Sequence, residues 1–252
     1  IQFLVNGEKN KISPYININN PLKTRKSNTK IAIIIDDFGN RAEGTDGMLQ
    51  LEQKITCAIM PFKENSTEES EEAIKAGFDV IIHLPMEPNN NNPNWLGPNP
   101  ILTDLSNSEI EKRMRAAIKD IPQAVGFNNH TGGKATSNRR VMRLILEIAQ
   151  ENELIAIDSR TTPKTVVREI AEELNIPVLE RDVFLDHQRN YSYIRKSILL
   201  LTGKAIEKGS GIGIGHVGPH GGNVTILALK NFLPRLDKIG VEFVGVSDLI
   251  NK

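Results

Sequence analysis

The chain has little that would hold it together covalently or draw it to a charged partner. It contains one cysteine in 252 residues, so no internal disulfide framework is available to it. That residue, Cys57, lies in the apolar run Ile55-Thr56-Cys57-Ala58-Ile59-Met60 and reads as a small core side chain. Neither sign of charge is in excess: 31 basic and 31 acidic residues give a formal net charge of zero. That balance removes the electrostatic case for nucleic acid or an anionic membrane surface as partner and suits a neutral or short polar substrate. No apolar run approaches the roughly twenty residues that a spanning helix needs, so a soluble chain with no membrane span is expected. An initiator methionine is also lacking. The start at Ile1 fits either a designed boundary or a mature form trimmed of a targeting segment. No internal repeat recurs at a fixed period.

What is present is a regular alternation. Residues 1–30 carry Asn6, Asn10, Pro14, Asn17, Asn19, Asn20 and Pro21 with weak apolar patterning, and read as an arm or linker before a domain spanning 31–252. From Ile31 onward short apolar runs alternate with amphipathic segments, the βαβ signature of a parallel sheet. Strands are predicted at 31–35, 55–60, 79–83, 123–127, 154–158, 177–184, 211–216 and 241–246, about the count of a closed barrel. Ser106 with Glu109 marks a capping box, Ser137 opens a second helix and Pro163 a third. Longer helices are predicted at about 191–208 and 223–239, the latter kinked or broken at Pro234, and Ser247 and Asp248 cap a short terminal one. Residues 84–104, rich in asparagine and proline and holding the single tryptophan, break the rhythm. Such an insertion reads as a lid or binding loop, with Trp95 either a platform for a sugar ring or a plug packing the loop down.

The polar residues collect at strand exits. Ile31-Ala32-Ile33-Ile34-Ile35 ends in Asp36-Asp37; later exits carry His83 and Glu87, then Asn128, Asn129 and His130, then Asp158, then Asp186 with His187, and finally His216. In α/β folds ligands gather where parallel strands finish, and neighbouring carboxylates resist joint ionisation unless a positive group joins them. Asp and His suit zinc or a similar divalent ion, for which a catalytic site needs about three protein ligands and an open position. Gly209-Ser210-Gly211-Ile212-Gly213-Ile214-Gly215-His216 is not a dinucleotide fingerprint, because its glycines lie inside a strand and do not open a helix; no nucleotide cofactor is expected. Glycines there point instead to close backbone approach. Asn129-His130-Thr131-Gly132-Gly133 lacks the lysine and helix of a phosphate loop, though its amides suit an anion or oxyanion pocket.

The order of Ile35-Asp36-Asp37-Phe38-Gly39, His83-Leu84-Pro85-Met86-Glu87-Pro88, Asn128-Asn129-His130-Thr131-Gly132, Asp158-Ser159-Arg160-Thr161 and Ile214-Gly215-His216 resembles the divergent branch of the polysaccharide deacetylases. The resemblance covers residue 31 to about 250. It implies a distorted, TIM-barrel-like (β/α) barrel of seven to eight mostly parallel strands. It also implies metal-dependent removal of an N-acetyl or similar acyl group from an amino-sugar polymer or oligosaccharide, in an extracytoplasmic, cell-envelope setting. Carried over by position, Asp36 is the general base, Asp37 and His83 are metal ligands, and His216 is the general acid. The match to the family's second ligating histidine falls on Glu87. Either Glu87 supplies an oxygen, or His130 completes the site, the reading favoured because neutral imidazole suits zinc. Asp158 and His187 remain candidate ligands or supporting groups, and Asn129 and Trp95 candidate contacts to carbohydrate. Two rivals stand beside this reading: another metal hydrolase on the same barrel, and an inactive carbohydrate-binding relic.

Overall fold

The computed structural model describes residues 29–89 and 96–250. Its spine is β1 (Thr29–Phe38), which starts two residues inside the expected arm. Side chains alternate across a strand. Ile31, Ile33 and Ile35 accordingly join the layer under the helices, and Ala32 and Ile34 pack inside the barrel with Ala58, Ile81, Ile157, Ile212 and Ile214. One edge of β1 pairs in parallel with β8 (Ser210–His216), from Lys30 opposite Ser210 to Asp36 opposite His216. The other edge is shared: β9 (Val241–Val244) takes Thr29–Ala32, and β2 (Thr56–Ile59) takes over from Ile34. Beyond β2 follow β3 (Asp79–Met86), β4 (Gly126–Thr131), β5 (Ile155–Asp158) and β6 (Val178–Glu180), and β7 (Val183–Phe184) lies outside β8. Every pairing is parallel.

The stretch expected as one strand, 177–184, is two. Arg181 N donates to Asp158 O on β5, and Asp182 N donates to Ile212 O on β8. Consecutive amides thus turn to opposite ends of the sheet, and the ring is completed through the chain between β6 and β7 and not by a ladder. The result is a distorted (β/α) barrel, as the resemblance implied. Two strands run further than expected: β3 continues through Pro85 to Met86, and β4 through the whole of Asn128–Thr131. Pro85 fits there because β2 stops at the level of Ile82, where β3 loses its partner on that edge.

Helices α1 (Thr45–Leu49), α2 (Ser66–Lys75) and α3 (Asn107–Asp120) precede the helix predicted from Ser137. Ser106 caps α3 by accepting from Glu109 N at 3.2 Å. The next helix, α4 (Arg139–Glu151), is capped by Asn138, which accepts from Val141 N, while the Ser137 hydroxyl donates to Gly133 O. Likewise α5 (Val167–Glu173) begins four residues after Pro163: Val166 N is drawn to Thr136 O and the Thr165 hydroxyl to Asp158. In α6 (Tyr191–Lys208) and α7 (Gly222–Asp237) the prediction holds closely, and α7 runs on through Pro234. A 3-10 turn at Val246–Leu249 ends the described chain, with the Asp248 carboxylate accepting from Gly245 N. Cys57 is fully buried in β2, where burial pushes its thiol pKa up. The glycines of β8 face outward, Gly211 and Gly213 against α6 and Gly215 against Thr225 of α7; a Cβ on Gly213 would lie 2.6 Å from Leu201 Cδ2. Among the described residues no helix is long and apolar enough to cross a membrane.

Candidate metal centre and acid-base groups

Above the last apolar layer inside the barrel, the same alternation places polar groups. Ile34 is followed on its face by Asp36, Ile81 by His83, Ile214 by His216, and Asn128 by His130. By alternation alone Asp37 would turn toward the helices. Its backbone is left-handed, φ 72°, and the β1–β2 register slips between Ile35 and Phe38. This bulge turns Asp37 to the same side as Asp36 and returns Phe38 to the outer core. The following loop is held by the buried carboxylate of Glu69, whose Oε2 accepts from Gly39 N at 2.7 Å and whose Oε1 accepts from Arg41 N.

Three donors converge here. Asp37 Oδ1 lies 3.3 Å from His83 Nε2 and 3.3 Å from His130 Nδ1, and the two imidazole nitrogens are 3.0 Å apart. Donors held about 2.0–2.1 Å from a tetrahedral zinc ion stand about 3.3 Å from one another, so these separations are close to three edges of such a shell. Asp37 Oδ1 is buried and makes no hydrogen bond of proper geometry, which an ion at the centre of the three donors would remedy. Two imidazoles and one carboxylate are also the donor chemistry that zinc and similar divalent ions take. The set therefore fits a divalent metal. Burial opposes the charge on Asp37, but His130 and His83 outweigh it and hold the carboxyl well below its usual range.

Beside this set stands Asp36, 2 % exposed. Its Oδ1 accepts from Asn128 Nδ2 at 2.8 Å and lies 3.7 Å from His83 Nδ1. Burial raises its pKa, against the lowering influence of His83, His216 and Asn128. On the neighbouring strand β8, His216 Nδ1 is 2.8 Å from Asp186 Oδ1, while Asp186 Oδ2 accepts from His216 N and from the Thr225 hydroxyl, each at 2.8 Å. Burial alone would lower the His216 pKa; the Asp186 bond and the charges of Asp186, Asp36 and Asp37 raise it to about 9. The His216 ring stacks on Phe184, centroids 5.9 Å apart, and the Arg181 guanidinium lies 3.6 Å from the centre of that phenyl ring.

The other expected site residues sit elsewhere. Glu87 ties loops together: its Oε2 accepts from Thr103 N and Oγ1, and its Oε1 pairs with Lys134 Nζ at 2.7 Å. Asp158 falls on the outward phase of β5 and accepts from Arg160 N and the Thr165 hydroxyl. Asn129, on the outward phase of β4, is buried; it accepts from Ser159 N and donates to Thr131 O, which leaves it bracing the β4–β5 exit. His187 is exposed one residue beyond the inward Asp186. Trp95 lies outside the described residues. Glu69 and Arg181 were not singled out from sequence, and Asn128 and Asp186, noted there as polar strand exits, were not assigned a role in the site. Asn128 could have been, since it shares the phase of His130, two residues on.

Comparison with known proteins agrees with this geometry. The chain is 36% identical over 225 residues to the uncharacterised YibQ of Escherichia coli K12, which covers 88% of this chain and 68% of that protein. The fold is similar to the crystal structure of an uncharacterised Agrobacterium tumefaciens C58 protein, ATU2773, with a TM-score of 0.83 and 20% identity over 88% of this chain and 89% of that one. It is also similar, with a TM-score of 0.54 and 14% identity over 88% of both chains, to the Bc1960 peptidoglycan N-acetylglucosamine deacetylase. A family model described as divergent polysaccharide deacetylase matches residues 33–250. With that match covering the barrel and every polar group at its mouth, the chain belongs to the divergent polysaccharide deacetylase family.

Proposed function

We propose that this chain is a metal-dependent hydrolase, with zinc the preferred ion, that removes N-acetyl or similar acyl groups from an amino-sugar polymer or oligosaccharide of the cell envelope. The observation that carries the reading is the convergence of Asp37, His83 and His130 beside a buried carboxylate, Asp36, with the imidazole of His216 on the strand next to it. A deacetylase named for its action on peptidoglycan shares the fold, which supports an amino-sugar substrate.

Asp37, His83 and His130 would hold the ion, which when bound supplies Lewis acidity toward an acyl carbonyl and makes a nearby water easier to deprotonate. Asp36, its carboxyl raised by burial, takes the proton from the attacking water. His216 carries its own proton to about pH 9 and delivers it to the departing amine nitrogen as the carbon–nitrogen bond breaks. Asp186 aims that imidazole by accepting from Nδ1, which leaves Nε2 as the proton donor to substrate. Water thus becomes the hydroxyl of the released carboxylic acid, and the sugar keeps a free amine.

Acetate release from N-acetylated chitooligosaccharides and peptidoglycan fragments, followed with zinc present, tests this. Asp36→Asn is expected to keep zinc and to lose on the order of a hundred- to ten-thousand-fold in turnover. An Asn variant as fast as the wild type would remove Asp36 from its role. Zinc binding with hydrolysis only of esters or phosphodiesters would instead move the protein to a different substrate class.

A further inference from the structure

The proposed base and the proposed metal site share one side chain, and it belongs to neither. Asn128 is fully buried in β4 and lies directly across the ladder from His83. Its Oδ1 is 2.7 Å from His83 Nδ1, and its Nδ2 donates to Asp36 Oδ1 at 2.8 Å. The direction of both bonds follows from chemistry. An ionised carboxylate only accepts, so the amide must turn its NH2 toward Asp36, and its oxygen is then left to face the imidazole. An amide oxygen cannot donate; His83 must therefore carry its proton on Nδ1, which leaves the lone pair of Nε2 facing Asp37 Oδ1 and His130 Nδ1. A reversed amide would set its oxygen against the Asp36 carboxylate and its NH2 against a protonated ring nitrogen, losing both bonds at once.

We infer that Asn128 is a positioning residue that fixes His83 in the tautomer able to bind metal and, with the other end of the same amide, holds the carboxylate of Asp36 in place as base. This rests on the metal-hydrolase reading above. Asn128 donates to Asp36 from a fully buried position. That donor is neutral, so it aims the carboxylate at a smaller loss of basicity than a lysine or arginine partner would cause. Partners behind a ligating histidine commonly change metal affinity by about 10- to 100-fold when removed.

The two ends can be separated by substitution in the full chain. Asn128→Ala removes both and is expected to weaken zinc binding by about 10- to 100-fold, read by competition with a chromophoric chelator, and to depress acetate release. Asn128→Asp is nearly the same size and still accepts from His83, but sets a second carboxyl against Asp36, and the proton the two then share blunts Asp36 as a base. This variant is expected to keep zinc within a few-fold of wild type while turnover falls as in the Ala variant. A role in folding alone would make zinc affinity and turnover follow the melting temperature together, and would leave the Asp variant closest to wild type in both. Wild-type zinc affinity in Asn128→Ala, or wild-type turnover in Asn128→Asp, would overturn the inference while leaving the metal-hydrolase reading standing. Failure of the wild type itself to bind zinc would overturn both, and is distinguished by that first measurement.

Discussion

His216 can deliver a proton only while it carries one, and the residue that sets that range is Asp186. Burial by itself would make the imidazole neutral; the carboxylate on Nδ1 and the charges of Asp36 and Asp37 reverse this and hold its pKa at about 9. Activity should therefore rise from acid pH as Asp36 ionises, above the ordinary carboxylate range, and fall as His216 loses its proton near pH 9. The same raised pKa contributes stability that is fully present below the unfolded value of about 6.5 and is lost as pH climbs through about 9. Asp186→Asn should draw the alkaline limb of kcat/KM toward neutrality. A pH-rate profile with that limb unmoved would take the acid role from His216. At this scale sequence was an uneven guide. Asp36 and His216 stand out as polar ends of apolar runs whose phase is plain. Asp186 and His187 are adjacent, and the break between β6 and β7 upsets the alternation that would have chosen between them. Asp37 faces the site only because its backbone is left-handed, a conformation that no local pattern announces.

Between residues and fold stand the elements, and β8 shows what a single contact can demand. Gly211 and Gly213 face α6, and the missing Cβ of Gly213 is what lets Leu201 close onto the strand. Gly213→Val should overpack this contact and destabilise by about 1–3 kcal/mol, lowering the melting temperature by about 2–4 °C for each kcal/mol in a domain of this size. A thermal melt superimposable on the wild type would show that α6 gives way freely. Sequence identified these glycines as a place of close approach because they sit within an apolar strand and open no helix. It was less able to locate helix starts. Ser137 and Pro163 both carry the right chemistry, yet the fold engages the groups around them otherwise: Gly133 O takes the Ser137 hydroxyl, Asp158 the Thr165 hydroxyl, and Thr136 O the Val166 amide. A helix start is set by where the fold holds these groups as well as by their chemistry.

Across the whole molecule, the three candidate ligands come from β1, β3 and β4, so an ion among them would tie together strands drawn from residues 37 to 130. Zinc at a hundredfold excess over its dissociation constant should stabilise the native state by about 2.7 kcal/mol, which is about 5–11 °C in melting temperature at the size dependence already used. The gain should disappear with a chelator and be absent from His83→Ala. An equal gain in that variant would place the ion elsewhere. The alternation of apolar runs with amphipathic segments was enough to read a parallel α/β barrel, its strand count to within one split strand, and the gathering of Asp36, Asp37, His83, His130 and His216 at one end. These follow from periodicities of two and 3.6 residues, which are local and need no partner. Tertiary structure alone decided the rest. It turned Asp37 inward through a register slip against β2, sent Glu87 to Thr103 and Lys134, set Asp158 and Asn129 on the outer phase, and stretched Asn128 between His83 and Asp36. Each of those outcomes depends on how strands far apart in sequence are shifted against one another, and that shift is fixed by packing between them and by no single segment.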